Sequence, residues 1–67
     1  MTWVTFETVG GGLVVIQPRH VVSIYDEQGG VKLATAAGGV HVLKDMTVQR
    51  AASIVAAAAD ADAARPG

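Results

Sequence analysis

The sequence predicts an α+β domain: an antiparallel β-meander of four or five short strands followed by one C-terminal α-helix. Three observations carry that prediction. Residues 2–43 hold short runs of β-branched and apolar residues, several of them alternating with period two. Glycine clusters at 10–12, 29–30 and 38–39 separate these runs at hairpin spacing. From residue 45 onward the chain turns to alanine, and its apolar residues recur at helical spacing.

The first run, "TWVTFETV" (2–9), is rich in β-branched and aromatic residues and reads as a strand. Alternation puts Val4 and Phe6 on one face and Trp3, Thr5 and Glu7 on the other. "GGG" breaks the run and "LVVIQ" (13–17) forms the second strand, apolar on both faces. Pro18 has no backbone N–H, so it ends that strand or sits on an open edge. The third run, "HVVSIYDE" (20–27), points Val22 and Ile24 inward and Val21, Ser23 and Tyr25 outward. After "QGG" comes "VKLAT" (31–35), with Val31, Leu33 and Thr35 opposing Lys32 and Ala34. "AAGG" turns the chain into "VHVL" (40–43), where Val40 and Val42 face inward and His41 looks out.

The helix is expected across residues 46–60. Val48, Ala51, Ala52, Val55, Ala58 and Ala59 make an i, i+3, i+4, i+7 stripe with Ile54 at its border. Asp45 and Thr47 compete to cap its first turn. Asp60 and Asp62 oppose the dipole at the other end, so the helix should fray there and leave 61–67 as a flexible tail. Residues 1–60 then form one small domain whose inward set is Phe6, Ile16, Val22, Ile24, Leu33, Val42, Val48 and Val55.

Sixty-seven residues bury only about 60% of the surface that the unfolded chain exposes. The absence of cysteine excludes disulfide staples and thiolate metal sites. The chain is 51% hydrophobic, yet its aromatic residues are only Trp3, Phe6 and Tyr25. Val and Ala supply much of the rest and bury little area each, so self-association is the natural route to more buried surface. Five basic residues against six acidic ones give a net charge of -1, which lacks the basic footprint of a phosphate-backbone binder. Neither a positively charged leader nor an apolar run long enough to span a bilayer stands in the sequence, so a cytoplasmic location without membrane insertion is expected.

Catalytic chemistry finds no constellation. His20 and His41 fall short of the three or four ligands a zinc site needs, and Asp26 and Glu27, adjacent on a strand, point to opposite faces. Ser23 and Ser53 lack the strand–turn–helix setting that exposes a nucleophilic hydroxyl. The glycines at 10–12 have neither the Walker spacing nor a following helix. The expectation is a protein that is not an enzyme and uses no cofactor.

What remains is surface. A single helix covers one face of a sheet, and Trp3, Leu13, Val15, Val21 and Tyr25 lie on the other, with His41 as a polar neighbour. These six residues form the expected interface of a homo-oligomer, a dimer or small ring, or with a protein partner. Arg19, Lys32 and Lys44 are the candidate contacts of the alternative, a nucleic-acid-binding regulator in which symmetry multiplies a modest basic patch. In its strand, glycine and helix order, "FETVGGGLVVIQPRHVVSIYDEQGGVKLATAAGGVHVLKDMTVQRAASIV" resembles the small flagellar proteins of the FlbD family. Segments of the kind "VVSI" (21–24) and "VKLAT" (31–35) carry the likeness, which covers about residues 4–57. The resemblance implies a small cytoplasmic accessory protein of flagellar expression or motor function, with no catalytic residues to transfer. The function expected is thus a non-catalytic, oligomeric protein-interaction module, an adaptor or assembly subunit.

Overall fold

The computed structural model describes residues 2–64. Five strands precede one helix: β1 (Val4–Glu7), β2 (Leu13–Ile16), β3 (Val21–Glu27), β4 (Gly30–Thr35), β5 (Val40–Leu43) and α1 (Val48–Ala63). All strand pairs are antiparallel, as the sequence predicts. The order is not a simple meander, however. β1 pairs with β2, and β3–β4–β5 form a separate three-stranded sheet.

The two sheets are spliced where β1 ends. Thr8 bridges Leu43, the Val9 N–H donates to the Val42 carbonyl (3.0 Å), and the Lys44 N–H donates to the Glu7 carbonyl (2.9 Å). Neighbours therefore run β2, β1, β5, β4, β3, and the chain passes from β2 to β3 without pairing them. The link is a 3-10 turn, Pro18–His20, whose first position suits the fixed φ of proline. Pro18 ends β2 and is itself buried.

Two glycine loops share one design. In "TVGGG" (8–12) the Thr8 N–H donates to the Gly12 carbonyl and the Gly11 N–H donates back to the Thr8 carbonyl, at 2.9 and 3.0 Å. In "TAAGG" (35–39) Thr35, Gly39 and Gly38 repeat these bonds at 2.9 and 3.0 Å. Gly11 and Gly38 hold φ of 89° and 93°, the left-handed residue that closes a three-residue hairpin loop.

β3 departs from simple alternation. Val21 lies opposite Thr35 and Ser23 opposite Ala34, so Val22 is the extra residue of a β-bulge. The bulge reverses two expectations. Val22 is 67% exposed where an inward side chain is predicted, and Val21, expected outside, packs against the core. Ile24, opposite Leu33, keeps its inward place.

The register of β5 is also the reverse of the expectation. Leu43 lies opposite Val31 and His41 opposite Leu33, and facing residues of a ladder share a face. Leu43 is buried, whereas Val40 is exposed and Val42 half-buried beside Lys32. Leucine buries more apolar area than valine, so the strand turns its last residue inward and carries His41 with it.

The core comprises Val4, Phe6, Ile16, Val31, Leu33, Leu43, Ala51 and Ala58, with Leu33 fully enclosed. α1 closes it by packing on β3, the 3-10 turn and β1. Thr47, not Asp45, caps the helix: its side-chain oxygen accepts the Arg50 N–H at 3.1 Å. The packed stripe includes Val48, Ala51, Ile54, Val55 and Ala58, while Ala52 and Ala59 are exposed. Ala51 and Ala58 are small enough to bring the helix backbone close to the sheet. The helix also runs past the predicted end at 60. Alanines 61 and 63 sustain it, and the Ala64 N–H donates to the Asp60 carbonyl at 3.0 Å. Residues 65–67 of the predicted tail lie outside the described residues.

Candidate interaction surface

The β1–β2 hairpin has an inner face that builds the core and an outer face that does not. Val4 faces Ile16 and Phe6 faces Val14 on the inside. Thr5 faces Val15 and Glu7 faces Leu13 on the outside. Leu13 and Val15 are 68% and 54% exposed, and Trp3, which alternation puts on the same side, is 56% exposed. Three of the six expected interface residues thus share one uncovered face. The helix cannot shield them, because it packs on the opposite side of the sheet.

The other three are placed elsewhere. Val21 is turned inward by the bulge and no longer belongs to an outer surface. Tyr25 is half-buried on the outer face of the second sheet, opposite Lys32. His41 does not look out: it shares the inward face with Leu33 and sits half-buried at the rim of a groove. That groove, about 460 Å³, is lined by residues 14–16 on one side and by His20, Thr35, Ala36, Ala37 and His41 on the other. A bond from the Ala36 N–H to the His20 carbonyl (2.8 Å) holds the β4–β5 loop against the 3-10 turn.

Sequence reasoning also missed three exposed aliphatic residues, Val9, Val22 and Val40. Val22 and Val40 were hidden by the bulge and by the choice of register. Val9 falls within the Thr8–Gly12 loop, and its position just before the glycines was the available signal.

The cations do not gather on one short element. Arg19 lies in the 3-10 turn, Lys32 in β4 and Lys44 just beyond β5. Lys32 is committed to an ion pair, its Nζ 2.9 Å from Glu27 Oε1. The hydrogen bond to Glu27 raises the Lys32 pKa above its ordinary value, against an opposing effect of burial. Among the described residues no three His, Cys, Asp or Glu side chains group as a metal site. Nor is any described helix long and apolar enough to cross a membrane. No protein-family model matches the chain, and no curated protein or solved structure matches it either.

Proposed function

We propose that this chain is a non-catalytic protein-interaction module that works as a homo-oligomer, a dimer or small ring, in the manner of an adaptor or an assembly subunit. The observation that supports it is the grouping of Trp3, Leu13 and Val15 on a hairpin face that the helix leaves uncovered. Large apolar side chains held together in this way favour a protein partner over water. Trp3 adds the large amphipathic ring common at the centre of interfaces. The likeness of residues 4–57 to the FlbD proteins agrees with an accessory role of this kind in the cytoplasm.

Sedimentation at micromolar concentration tests the reading directly. An oligomer is expected, and Trp3→Asp should weaken it by about tenfold or more while leaving the circular dichroism spectrum intact, a loss of at least about 1.4 kcal/mol. A stable monomer defeats the reading. Titration with mixed DNA and RNA at about 50 and 200 mM salt discriminates the alternative. Strong binding that collapses with salt would replace the adaptor with a nucleic-acid-binding regulator contacting through Arg19, Lys32 and Lys44.

A further inference from the structure

We propose that a second copy of this chain extends the interaction surface, paired edge to edge through β2, antiparallel, about a two-fold axis at Val14. This rests on the oligomeric reading and makes it specific. Hydrogen-bond parity sets the direction in which the β2 backbone groups point. The Thr8 N–H donates to the Gly12 carbonyl, so Thr8 and Gly12 are a hydrogen-bonded pair of the hairpin. Bonded and non-bonded pairs alternate along an antiparallel ladder. Phe6/Val14 and Val4/Ile16 are then bonded, whereas Glu7/Leu13 and Thr5/Val15 are not. The N–H and C=O groups of Leu13 and Val15 therefore point away from β1. Among the described residues β2 pairs with no other strand, so these groups form an open template.

The two edges of the sheet are built differently. β3, the far edge, carries a bulge at Val22 and the carboxylates Asp26 and Glu27, the devices that discourage strand addition. β2 has none of them. Its four residues, Leu-Val-Val-Ile, are uncharged, unbulged and free of proline. Leu13 and Val15, whose backbone groups form this edge, are themselves among the exposed residues of the chain, and a groove of about 460 Å³ lies between residues 14–16 and the small residues Thr35, Ala36 and Ala37.

Self-pairing satisfies the template. With the two-fold at Val14, Leu13 of each copy faces Val15 of the other, and each such pair exchanges both of its N–H···O bonds. The Leu13 and Val15 side chains of both copies then flank one another on the outer face, as one apolar strip continuous with Trp3 of each β1. Charge does not oppose this. Glu7, the carboxylate on that face of the hairpin, lies in β1, one strand back from the paired edge in each copy. Three strand spacings and an offset of two residues along the strands separate the two Glu7 positions by roughly 16 Å, beyond the Debye length of about 8 Å at physiological salt.

Sedimentation and cross-linking test the arrangement together. Val15→Pro removes an N–H that β1 does not use and blocks an added strand. It should convert the dimer to monomer with its circular dichroism unchanged. Two Val14 residues facing at a non-bonded position have Cα atoms about 4.5 Å apart, within disulfide range of about 4.4–6.8 Å. Val14→Cys should therefore give a disulfide-linked dimer on mild oxidation, about tenfold faster than Val15→Cys. A dimer that persists in Val15→Pro and fails to cross-link at 14 overturns this inference but leaves the oligomeric reading standing. A wild-type monomer overturns both. Should Val15→Pro not fold, the ratio of the two cross-linking rates decides alone, and a ratio of one or less overturns the proposal.

Discussion

His41 sits directly across from Leu33, on the face that carries the core. The same register buries Leu43 and leaves Val40 exposed. A core leucine truncated to alanine costs about 2–5 kcal/mol, whereas an exposed strand valine costs about 0.5 kcal/mol or less. Urea denaturation should therefore show a large loss for Leu43→Ala and a small one for Val40→Ala. The opposite ranking would mean that β5 faces the other way.

Thr8 and Thr35 head loops of the same construction, each closed by a glycine at positive φ. Nothing lies within 4 Å of a Cβ added at Gly38, so a substitution there meets backbone strain and no clash. Gly38→Ala should lower stability by about 1–2 kcal/mol, the cost of a left-handed alanine. Gly10→Ala, in equally open space but with no positive φ, should be neutral or mildly stabilising. Thermal melts of the two variants separate strain from packing.

These loops also show which parts of the fold were legible. "TVGGG" and "TAAGG" announce their turns because only glycine enters the left-handed region cheaply, so the chemistry is written in the residue type. The turn between β3 and β4 is fainter. Its two loop residues, Gln28 and Gly29, both have positive φ (55° and 77°), and glutamine does not advertise that conformation as asparagine would. The bulge at Val22 left no trace, since a valine pair reads equally well in either phase. In β5 the pattern Val-His-Val-Leu permits both faces, and only packing against Val31 selects the one that buries Leu43. Of the surface, Trp3, Leu13 and Val15 were readable because β1 alternates cleanly and β2 follows it through a short loop. Val21 and His41 were not, because each depends on a register fixed by distant strands.

The helix is secured at one end and strained at the other. Thr47 accepts the Arg50 N–H at 3.1 Å, and its loss should cost about 1 kcal/mol in Thr47→Ala but far less in Thr47→Ser. At the far end Asp62 places a carboxylate in the last turn, with its Oδ1 shielded and lacking a hydrogen-bond partner among the described residues. Asp62→Ala removes both the shielded oxygen and the clash with the helix dipole, and should stabilise by about 0.5 kcal/mol. Helical circular dichroism followed through melting reads both effects.

Lys32 and Glu27 give the fold a signature at high pH. Lys32 Nζ donates to Glu27 Oε1 at 2.9 Å, and this bond raises the Lys32 pKa above 10.5; burial opposes the rise, and the charges of Glu27 and Tyr25 add to it. A folded-state pKa above the unfolded one means that the folded chain holds this proton more tightly. The contribution is complete below the unfolded pKa and is lost as pH climbs through the folded one. Lys32→Met removes the titrating group and leaves an apolar stem between Tyr25 and Val42 on the neighbouring strands. The stability difference between wild type and Lys32→Met should stay level from about pH 7 to 9 and move in the variant's favour above pH 10.5. Both partners are accessible to solvent, so about 1 M salt should shrink the pair's contribution at neutral pH. A difference that holds constant through pH 11 would show that the ion pair adds nothing to the folded state.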